Sequence, residues 1–401
     1  MDRRNTGISR RRLLAAGTTV AVTALTQPTQ AQTITRNVSP YRAGLEGCVE
    51  RANLAEQAIV RRHVRTLWGQ RGKQLGALAW PSSLFDQSLV KWCYWWQAHL
   101  LDCAVDAAHR DRTPERLDRV VALARGIRAR NLTGWTNRYY DDMAWLALAL
   151  ERADRLLGLR FGTALDDLRS ALLSGWSPEF GAVPWRTGDH YYNTPAIGPT
   201  GIALARLGDL DHARRLADFL HTRLRDPDTD LTLDGVHEPG GEVNTTVLTY
   251  CQGVAIGLET ELALRTGDST HRDRATALIA ATETHLARAG VIAGSADDDS
   301  GLFMGILARY LAEAALSLDN STAASLVHTS ARAAWTNRAE SNGLPLFGMS
   351  WSRPIGLPHH PQVFTQLTTP TLADNLSPDL SVQLSAWLLL EADHRLTVAG
   401  R

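Results

Sequence analysis

Two kinds of helical segment alternate along the chain, and this alternation restricts the fold more than any other feature. One kind is highly charged with a single apolar stripe, as in TPERLDRVVALARGIRAR, the pattern of a helix half exposed to water. The other kind is apolar nearly all round, as in TYCQGVAIGLETELAL, which predicts burial between neighbours. The apolar segments begin roughly every 50 to 56 residues, which is typical of a helix-hairpin repeat. Six hairpins predict an all-α (α/α)6 barrel, with the apolar helices inside.

Periodicity and helix breakers predict about twelve helices and almost no alternating strand pattern. The predicted spans are 48–67, 86–110, 114–130, 139–158, 162–174, 194–207, 210–225, 244–267, 271–289, 300–318, 321–340 and 379–397. An open solenoid of the same hairpins is the alternative, but neither end of the array carries a polar capping repeat. The continuous repeat indicates a single domain over residues 32–401.

Residues 1–31 have a different pattern from the rest of the chain. Five arginines precede a modest apolar run, Leu13–Leu25, which is too short and too rich in Ala, Gly and Thr to span a bilayer. The segment SRRRLL at Ser9–Leu14 resembles a twin-arginine export signal. We therefore expect the protein to be exported, either secreted or held in the cell envelope.

The charge balance limits the partners. The whole chain has a formal net charge of +0, and loss of residues 1–31 would leave it near −4. This overall balance predicts no extended basic face to neutralise a phosphate backbone, so we expect no nucleic acid partner. The remaining chain has no other continuous apolar run of membrane-spanning length, which predicts a soluble monomer with no stable membrane anchor.

The four cysteines leave three disulfide pairings open in an exported protein. Cys93 and Cys103 fall on one predicted helix, roughly 15 Å apart, which is too far for a disulfide. The sequence contains no CxxC, HExxH, GxSxG, P-loop or GxGxxG pattern. We therefore expect neither a metal nor a cofactor.

Asp141 and Asp142 are the strongest candidates for catalysis. They begin a predicted inner helix and are flanked by Tyr139, Tyr140 and Trp145. Two carboxylates in an apolar setting repel each other and lose hydration, so we expect one pKa of the pair to rise while the other group stays charged. Glycoside hydrolysis needs that division between an acid and a nucleophile. Carboxyl groups about 5 to 5.5 Å apart predict net retention.

Other acidic clusters provide a comparison. Acids at a helix start also interact simply with the helix dipole, and most acidic pairs are solvated. Asp166 and Asp167 lie beside Arg169 on a predicted outer helix, and residues 297–299 form an acidic run where another helix begins. Only the Asp141 pair is embedded among aromatic residues on an inner helix, which favours a catalytic role.

The segment NRYYDDMAWLALALERA resembles the double-aspartate signature of glycoside hydrolase family 76, the endo-α-1,6-mannanases. Further segments are similar to other motifs of that family, in the same order along nearly the whole chain. They are GAVPWRTGDHYYNTPAIGPTGIALARL, TYCQGVAIGLETELALRTGD, LFMGILARYLAEAAL and LFGMSWS.

The resemblance implies an (α/α)6 barrel, hydrolysis of α-1,6-mannan with retention, and no cofactor. It also implies that Asp141 is the nucleophile and Asp142 the general acid/base. Three positions depart from the family pattern, with Tyr192 and Met304 in place of lysine and Cys251 in place of asparagine. Each change removes a polar or charged group, which leaves the fine specificity open.

Seven further residues are candidates for substrate binding. Three are loop tryptophans, whose flat faces suit pyranose rings, and four occupy polar positions of the motifs. They are Trp135, Trp185, Trp351, Tyr140, Asn193, Tyr250 and Gln252. Their alternative roles are core packing for the tryptophans and hydrogen bonds to loop backbone for the others.

The predicted function is a retaining endo-α-1,6-mannanase acting on an extracellular or cell-wall mannan. A transglycosidase is the first alternative, because it would use the same covalent intermediate and pass it to a sugar acceptor. The second is a catalytically silent glycan-binding toroid. Two adjacent buried carboxylates are costly to keep, and a binding module gains nothing from them, so the sequence favours an enzyme.

Overall fold

The computed structural model describes residues 34–35, 47–294, 300–355 and 378–401. The predicted export segment, residues 1–31, lies outside the described residues, as does the acidic run at 297–299.

Thirteen helices occur in the described ranges, and twelve of them form the barrel. Their bounds are α1 Cys48–Arg62, α2 Leu84–Gln87, α3 Tyr94–Arg110, α4 Pro114–Arg130, α5 Tyr140–Leu157, α6 Gly162–Ser174, α7 Thr194–Arg206, α8 Leu210–Arg223, α9 Thr249–Thr266, α10 Ser269–Leu286, α11 Phe303–Leu318, α12 Ser321–Asn337 and α13 Leu380–Val398. Helix α2 is a single turn outside the two rings. The inner ring consists of α3, α5, α7, α9, α11 and α13, and the other six helices surround it.

The inner ring closes on itself. Each inner helix packs against the next one, and α13 packs against α3. Glycines allow the closest approaches: a Cβ atom on Gly253 would lie 2.9 Å from the Cα of Leu307, and one on Gly305 would lie 2.5 Å from the backbone of Ser385. The closed ring confirms the (α/α)6 barrel and excludes the open solenoid.

Buried ion pairs fill one end of the barrel. Arg152 on α5 contacts both Asp102 and Asp106 on α3, and Arg309 on α11 contacts the same two carboxylates. These charges lie in the second half of α3 and α5 and near the middle of α11. Because every inner helix of a hairpin toroid runs in the same direction, the six helix N-termini lie together at the opposite end. That end is the mouth of the barrel.

In the described residues, the connections outside the helices contain ten short strands, grouped in four small sheets. Their bounds are β1 Ile34–Thr35, β2 Val64–Thr66, β3 Gln74–Gly76, β4 Tyr191–Asn193, β5 Leu233–His237, β6 Glu242–Val247, β7 Ala287–Arg288, β8 Val291–Ile292, β9 Ala339–Ser341 and β10 Leu344–Leu346. The antiparallel sheet β4–β5–β6 is the one that reaches the candidate site described below.

Several predicted helix bounds are wrong, including those of 271–289 and 321–340, which extend into β7 and β9. The helix predicted over 48–67 ends at Arg62, where the chain enters β2. The span 86–110 divides into α2 and α3, because Cys93 has extended backbone, with φ −129° and ψ 117°. The span 244–267 starts too early, because Glu242–Val247 forms β6. That segment is rich in Val and Thr, which favour strands.

Within the residues that the structure describes, one helical segment is long and apolar enough to span a membrane, contrary to the sequence-based expectation. It is Ser300–Leu318, which includes the inner helix α11, and 78% of its apolar window is buried inside the protein. An inner helix of an (α/α)6 barrel is expected to be this apolar, because other helices surround it.

Candidate functional site

Asp141 and Asp142 lie in the first turn of α5, at the mouth of the barrel. Their exposed fractions are only 4% and 6%. The helix starts here because Tyr139 is extended, with φ −105° and ψ 119°, and because the Tyr140 N–H donates to the Trp185 carbonyl at 3.0 Å. The helix dipole favours negative charge at this end. The fold thus places two nearly buried carboxylates where the helix stabilises them.

The two carboxylates have different hydrogen-bond donors. Oδ2 of Asp141 accepts from the Trp185 indole at 3.2 Å, and Oδ1 accepts from the backbone N–H of Asp142 at 2.8 Å. Oδ2 of Asp142 accepts from the Asn137 side-chain amide at 2.9 Å. Separate donors fix the two groups in distinct orientations, which suits distinct chemical roles.

A third carboxylate, Asp234 on β5, faces the pair and was missed from the sequence. Its Oδ2 accepts from the Tyr191 hydroxyl at 2.5 Å and from the Asn244 amide at 3.0 Å, and the Cys251 thiol lies 4.0 Å from Oδ1. Burial raises the pKa of Asp234, and the negative charge of Asp141 raises it further. The hydrogen bonds from Tyr191 and Asn244 partly oppose this rise. This electrostatic interaction indicates that Asp234 and Asp141 lie near each other at the barrel mouth.

Strand alternation determines which side chains of β4 face the cleft. Tyr191 and Asn193 lie on one face of β4 and Tyr192 lies on the other, because successive side chains of a strand point to opposite faces. Tyr192 packs outward against Phe180, with 5.1 Å between ring centroids, whereas Tyr191 reaches Asp234. The departure noted at Tyr192 therefore concerns a buried packing position and not the cleft.

An aromatic cluster lies one turn below the carboxylates. His99 on α3 lies between Trp95, at 5.9 Å between centroids, and Trp145, at 4.6 Å. Burial, assisted by the positive charge of Arg309, lowers the pKa of His99 to about 3. The imidazole is therefore neutral at neutral pH and is no general acid for this site.

Four of the predicted substrate-binding residues lie close to the carboxylates or to the sheet that carries Asp234. Trp185 binds Asp141 directly. The carbonyl of Trp135 accepts from the Tyr94 hydroxyl at 2.5 Å, and the pKa of Tyr94 is raised first by burial and then by the charge of Asp142. The other two are Asn193, paired with Gly235 across β4 and β5, and Tyr250, stacked on Phe303 at 3.9 Å between centroids.

The other three predicted residues occupy packing or backbone-binding positions. The Tyr140 ring covers Gly175, where a Cβ atom would lie 2.3 Å from its Cζ. The Gln252 amide is fully buried and is used by the main chain of Thr232, with both bonds at 2.8 Å. Trp351 is 2% exposed and packs in the core. These positions fit the alternative roles weighed above better than direct contact with a sugar.

Cys251 and Met304, the two remaining departures from the family pattern, are both buried. Cys251 lies beside Asp234, so its thiol occupies a position at the edge of the carboxylate cleft. Among the residues that the structure describes, no group of three or more His, Cys, Asp or Glu side chains has a geometry suited to a metal ion. The arrangement that remains is a cleft with three carboxylates and aromatic walls, which suits acid–base and nucleophilic chemistry on a polar substrate.

Comparison with known proteins gives a consistent result. The chain matches the model of glycosyl hydrolase family 76 over residues 51–371. The GH76A α-1,6-mannanase of Salegentibacter sp. HEL1_6 is 25% identical, with a TM-score of 0.73, and the match covers 87% of this chain and 99% of that chain. An inactive variant of that mannanase, with two aspartates changed to asparagine, was solved with α-1,6-mannotriose; it matches at 24% identity and TM-score 0.73, over 86% and 99% of the two chains.

A second solved relative, the Lin0763 protein of Listeria innocua, is 24% identical with a TM-score of 0.75, and the match covers 88% of this chain and 99% of that one. No curated protein matches the chain. The family model covers well over half of the sequence, including the paired aspartates and the sheet that carries Asp234. The chain belongs to glycoside hydrolase family 76.

Proposed function

We propose that this protein is an exported, retaining endo-α-1,6-mannanase in which Asp141 is the nucleophile and Asp142 the general acid/base. The observation that carries the proposal is the pair of adjacent, nearly buried carboxylates at the barrel mouth, each held by its own donors. Membership of family 76 and the likeness to an α-1,6-mannanase support the substrate class.

The hydrogen bonds support this division of roles. Two N–H donors orient the Asp141 carboxylate, and a nucleophile must be held in this way to attack an anomeric carbon. Asp142, oriented by Asn137, would give its proton to the leaving glycosidic oxygen. The attack forms a glycosyl ester on Asp141. Asp142, now a carboxylate, then takes a proton from the water that cleaves the ester, and the two inversions restore the α configuration.

Asp234 and its neighbours are suited to hold the sugar. The Asp234 carboxylate offers acceptor oxygen atoms near Asp141, which suits the hydroxyl groups of a pyranose, and Tyr191 and Asn244 hold it in place. Trp185 and Trp135 are half-buried, and the Trp185 indole donates to the Asp141 carboxylate. We infer that these residues position a mannose unit at the reacting centre.

The N-terminal segment supports the proposed destination. The arginine-rich start and short apolar run are the basis for export by a twin-arginine route, with residues 32–401 as one catalytic domain. A polymer in the extracellular space or cell envelope would then be the accessible substrate. Fusion of residues 1–31 to a reporter, with and without replacement of Arg10–Arg12 by lysine, would test this route.

The experiment for the activity uses the mature protein and linear α-1,6-mannan. Wild-type protein should release manno-oligosaccharides whose first products have the α configuration. Asp141→Asn and Asp142→Asn should each lower kcat by about 10³-fold or more. The matched control is Asp166→Asn/Asp167→Asn, which changes an exposed acidic pair on the outer helix α6 and should leave the rate unchanged.

Other outcomes would contradict the proposal. Binding of mannan without cleavage by the wild type would indicate the glycan-binding toroid. Products longer than the substrate on addition of an acceptor oligosaccharide, in place of net hydrolysis, would indicate a transglycosidase. First products with the β configuration would refute the double displacement.

A further inference from the structure

A group of exposed apolar side chains lies on one sector of the barrel mouth. The structure exposes nine large apolar side chains in its described part, and five of them belong to this group. We call it the apolar rim, and its members are Trp68 (51% exposed), Leu84 (81%), Phe85 (59%), Val90 (53%) and Leu132 (92%). Soluble proteins seldom concentrate exposed apolar groups in this way unless the surface has a partner.

Arg130 holds the segments of the apolar rim together. Its guanidinium lies over the Trp68 ring at 5.6 Å and over the Trp92 ring at 5.1 Å. The same group donates to the carbonyls of Leu89 at 3.0 Å and Val90 at 2.6 Å. Three separate parts of the sequence are therefore fixed as one surface, and the exposed side chains are presented by an ordered structure.

The backbone is unfavourable at two points of this surface. Trp68 has φ 47° and ψ 37°, and Leu89 has φ 57°, although bulky residues rarely adopt the left-handed region. Leu89 is fully buried and anchors the segment, while the Trp68 indole donates to the Ser88 carbonyl at 2.8 Å and stays half exposed. A strained conformation that displays a tryptophan to solvent is most easily explained by a binding role.

The same region is strongly basic. Residues 64–92 and 125–138 together carry eight basic residues and one acidic residue, in a chain whose formal net charge is +0. The two lysines of the whole sequence, Lys73 and Lys91, both occur here. Exposed apolar side chains surrounded by basic ones are typical of surfaces that bind anionic membranes.

We propose that the apolar rim and its basic surroundings dock the protein reversibly on the surface of an anionic lipid bilayer. The aliphatic groups of Leu84, Val90 and Leu132 would enter the acyl boundary, and the lysines and arginines would contact lipid phosphates. A polysaccharide is a poorer partner, because sugars are bound by flat aromatic faces and polar groups, whereas most of this surface is aliphatic.

The surface is continuous with the candidate site. Trp92 lies 5.6 Å from Tyr94 between ring centroids, and Tyr94 donates to the carbonyl of Trp135 beside Asp142. Docking would therefore bring the barrel mouth towards glycans attached at the membrane surface. This last consequence rests on the proposed function, whereas lipid binding itself does not.

The test is co-sedimentation of the mature protein with phosphatidylcholine vesicles that contain, or lack, about one-third phosphatidylglycerol. Binding should require the anionic lipid and weaken at high salt. Leu84→Ser/Phe85→Ser should lower the partition coefficient by roughly tenfold or more. The control Leu264→Ser/Val398→Ser removes two apolar groups of comparable exposure, 53% and 69%, elsewhere on the surface and should not change it.

A second pair of variants tests the charge. Lys73→Glu/Lys91→Glu should abolish the preference for anionic vesicles, whereas Arg288→Glu/Arg332→Glu, an equal change at exposed positions on other elements, should preserve most of it. All these positions lie outside the proposed catalytic cleft, so hydrolysis of soluble mannan serves as the check on folding.

Two results would overturn the proposal. The first is absence of binding to either vesicle composition while the protein remains active on soluble mannan. The second is a different partner for the same surface, shown by a concentration-dependent dimer, or by mannan affinity, that Leu84→Ser/Phe85→Ser removes without any vesicle binding. Failure of mannan hydrolysis with intact vesicle binding would instead refute only the proposed function.

Discussion

Replacement of Arg152 by methionine should destabilise the barrel strongly. The Arg152 side chain is 4% exposed and contacts the carboxylates of Asp102 and Asp106, whose exposed fractions are 9% and 4%. Methionine fills a similar volume but provides no charge. Among the described residues, the two nearly buried carboxylates would then keep Arg309 as their contacting cation, 3.0 Å from Asp102 and 2.5 Å from Asp106, with the charge of Arg395 also acting on Asp106.

The magnitude follows from the cost of an unbalanced buried charge. Removal of one partner from a buried ion pair typically costs about 3 to 5 kcal/mol of unfolding free energy, and Arg309 should compensate part of this, so we expect a loss near 3 kcal/mol. Arg155→Met is the matched control on the same helix. Arg155 is 47% exposed and pairs with Glu151 four residues earlier, so its loss should cost no more than about 0.5 kcal/mol.

The assay is urea unfolding of both variants followed by circular dichroism, at pH 7 and at lower pH. Burial alone would raise the pKa of Asp106, but Arg152 and Arg309 outweigh it and hold the pKa below its usual range. The Asp106 carboxylate therefore stabilises the wild type at pH values above the usual carboxyl pKa. This contribution is lost as the pH falls through the lowered pKa of Asp106 in the folded protein. In Arg152→Met the pKa of Asp106 should rise, so this carboxylate should become protonated more readily in the variant. The difference in unfolding free energy between variant and wild type should therefore narrow as the pH falls towards 4. Equal effects of the two substitutions, or a gap that widens on acidification, would refute the reasoning.

Three further predictions concern packing, the loop scaffold and the third carboxylate. Gly305→Ala should lower the unfolding free energy by about 1 to 3 kcal/mol in urea titration, since the added methyl would lie 2.5 Å from the Ser385 backbone; an unchanged midpoint would contradict the packing. Gln252→Leu should lower the unfolding free energy by about 2 to 4 kcal/mol, because it removes the hydrogen-bond partner of the buried main-chain groups of Thr232. Loss of activity with unchanged stability would contradict this structural role of Gln252. Asp234→Asn should lower mannan hydrolysis at least tenfold without loss of stability at neutral pH. Burial raises the pKa of this carboxyl, so its charged form is a cost above that pKa, and the wild type should gain stability relative to the variant as the pH falls.

The sequence was sufficient to predict the barrel because inner and outer helices differ in composition along their whole length. A helix surrounded by neighbours must be apolar on every side, as α11 is, and an outer helix such as α4 needs only one apolar stripe. This difference survives errors of several residues at the helix ends. The boundary errors fall where the local pattern is short, as at β6, whose six residues are too few to override the helical pattern that follows.

The site was predicted in part, for a different reason. Asp141 and Asp142 are neighbours in sequence, so their proximity needed no tertiary information, and Trp185 stood in a loop that precedes an inner helix. Asp234 lies more than ninety residues further along and becomes part of the site only because β5 pairs with β4. A single carboxylate in a strand of five residues carries no signal of its own. Gln252 illustrates the opposite difficulty, because a buried amide that bonds loop backbone can occupy a motif position as readily as one that binds a ligand.

The direction of the inner helices connects the fold to the proposed chemistry. Six parallel helices place six N-termini at one mouth, where their dipoles favour anions, and leave the opposite end with the C-terminal dipoles. Buried arginines, including Arg152 and Arg206, lie towards that opposite end and compensate carboxylates from several helices. At the mouth, by contrast, Asp141 and Asp142 are held by neutral N–H donors. These bonds hold both carboxylates in fixed orientations, and a carboxylate must be oriented in this way if it is to attack carbon or exchange a proton.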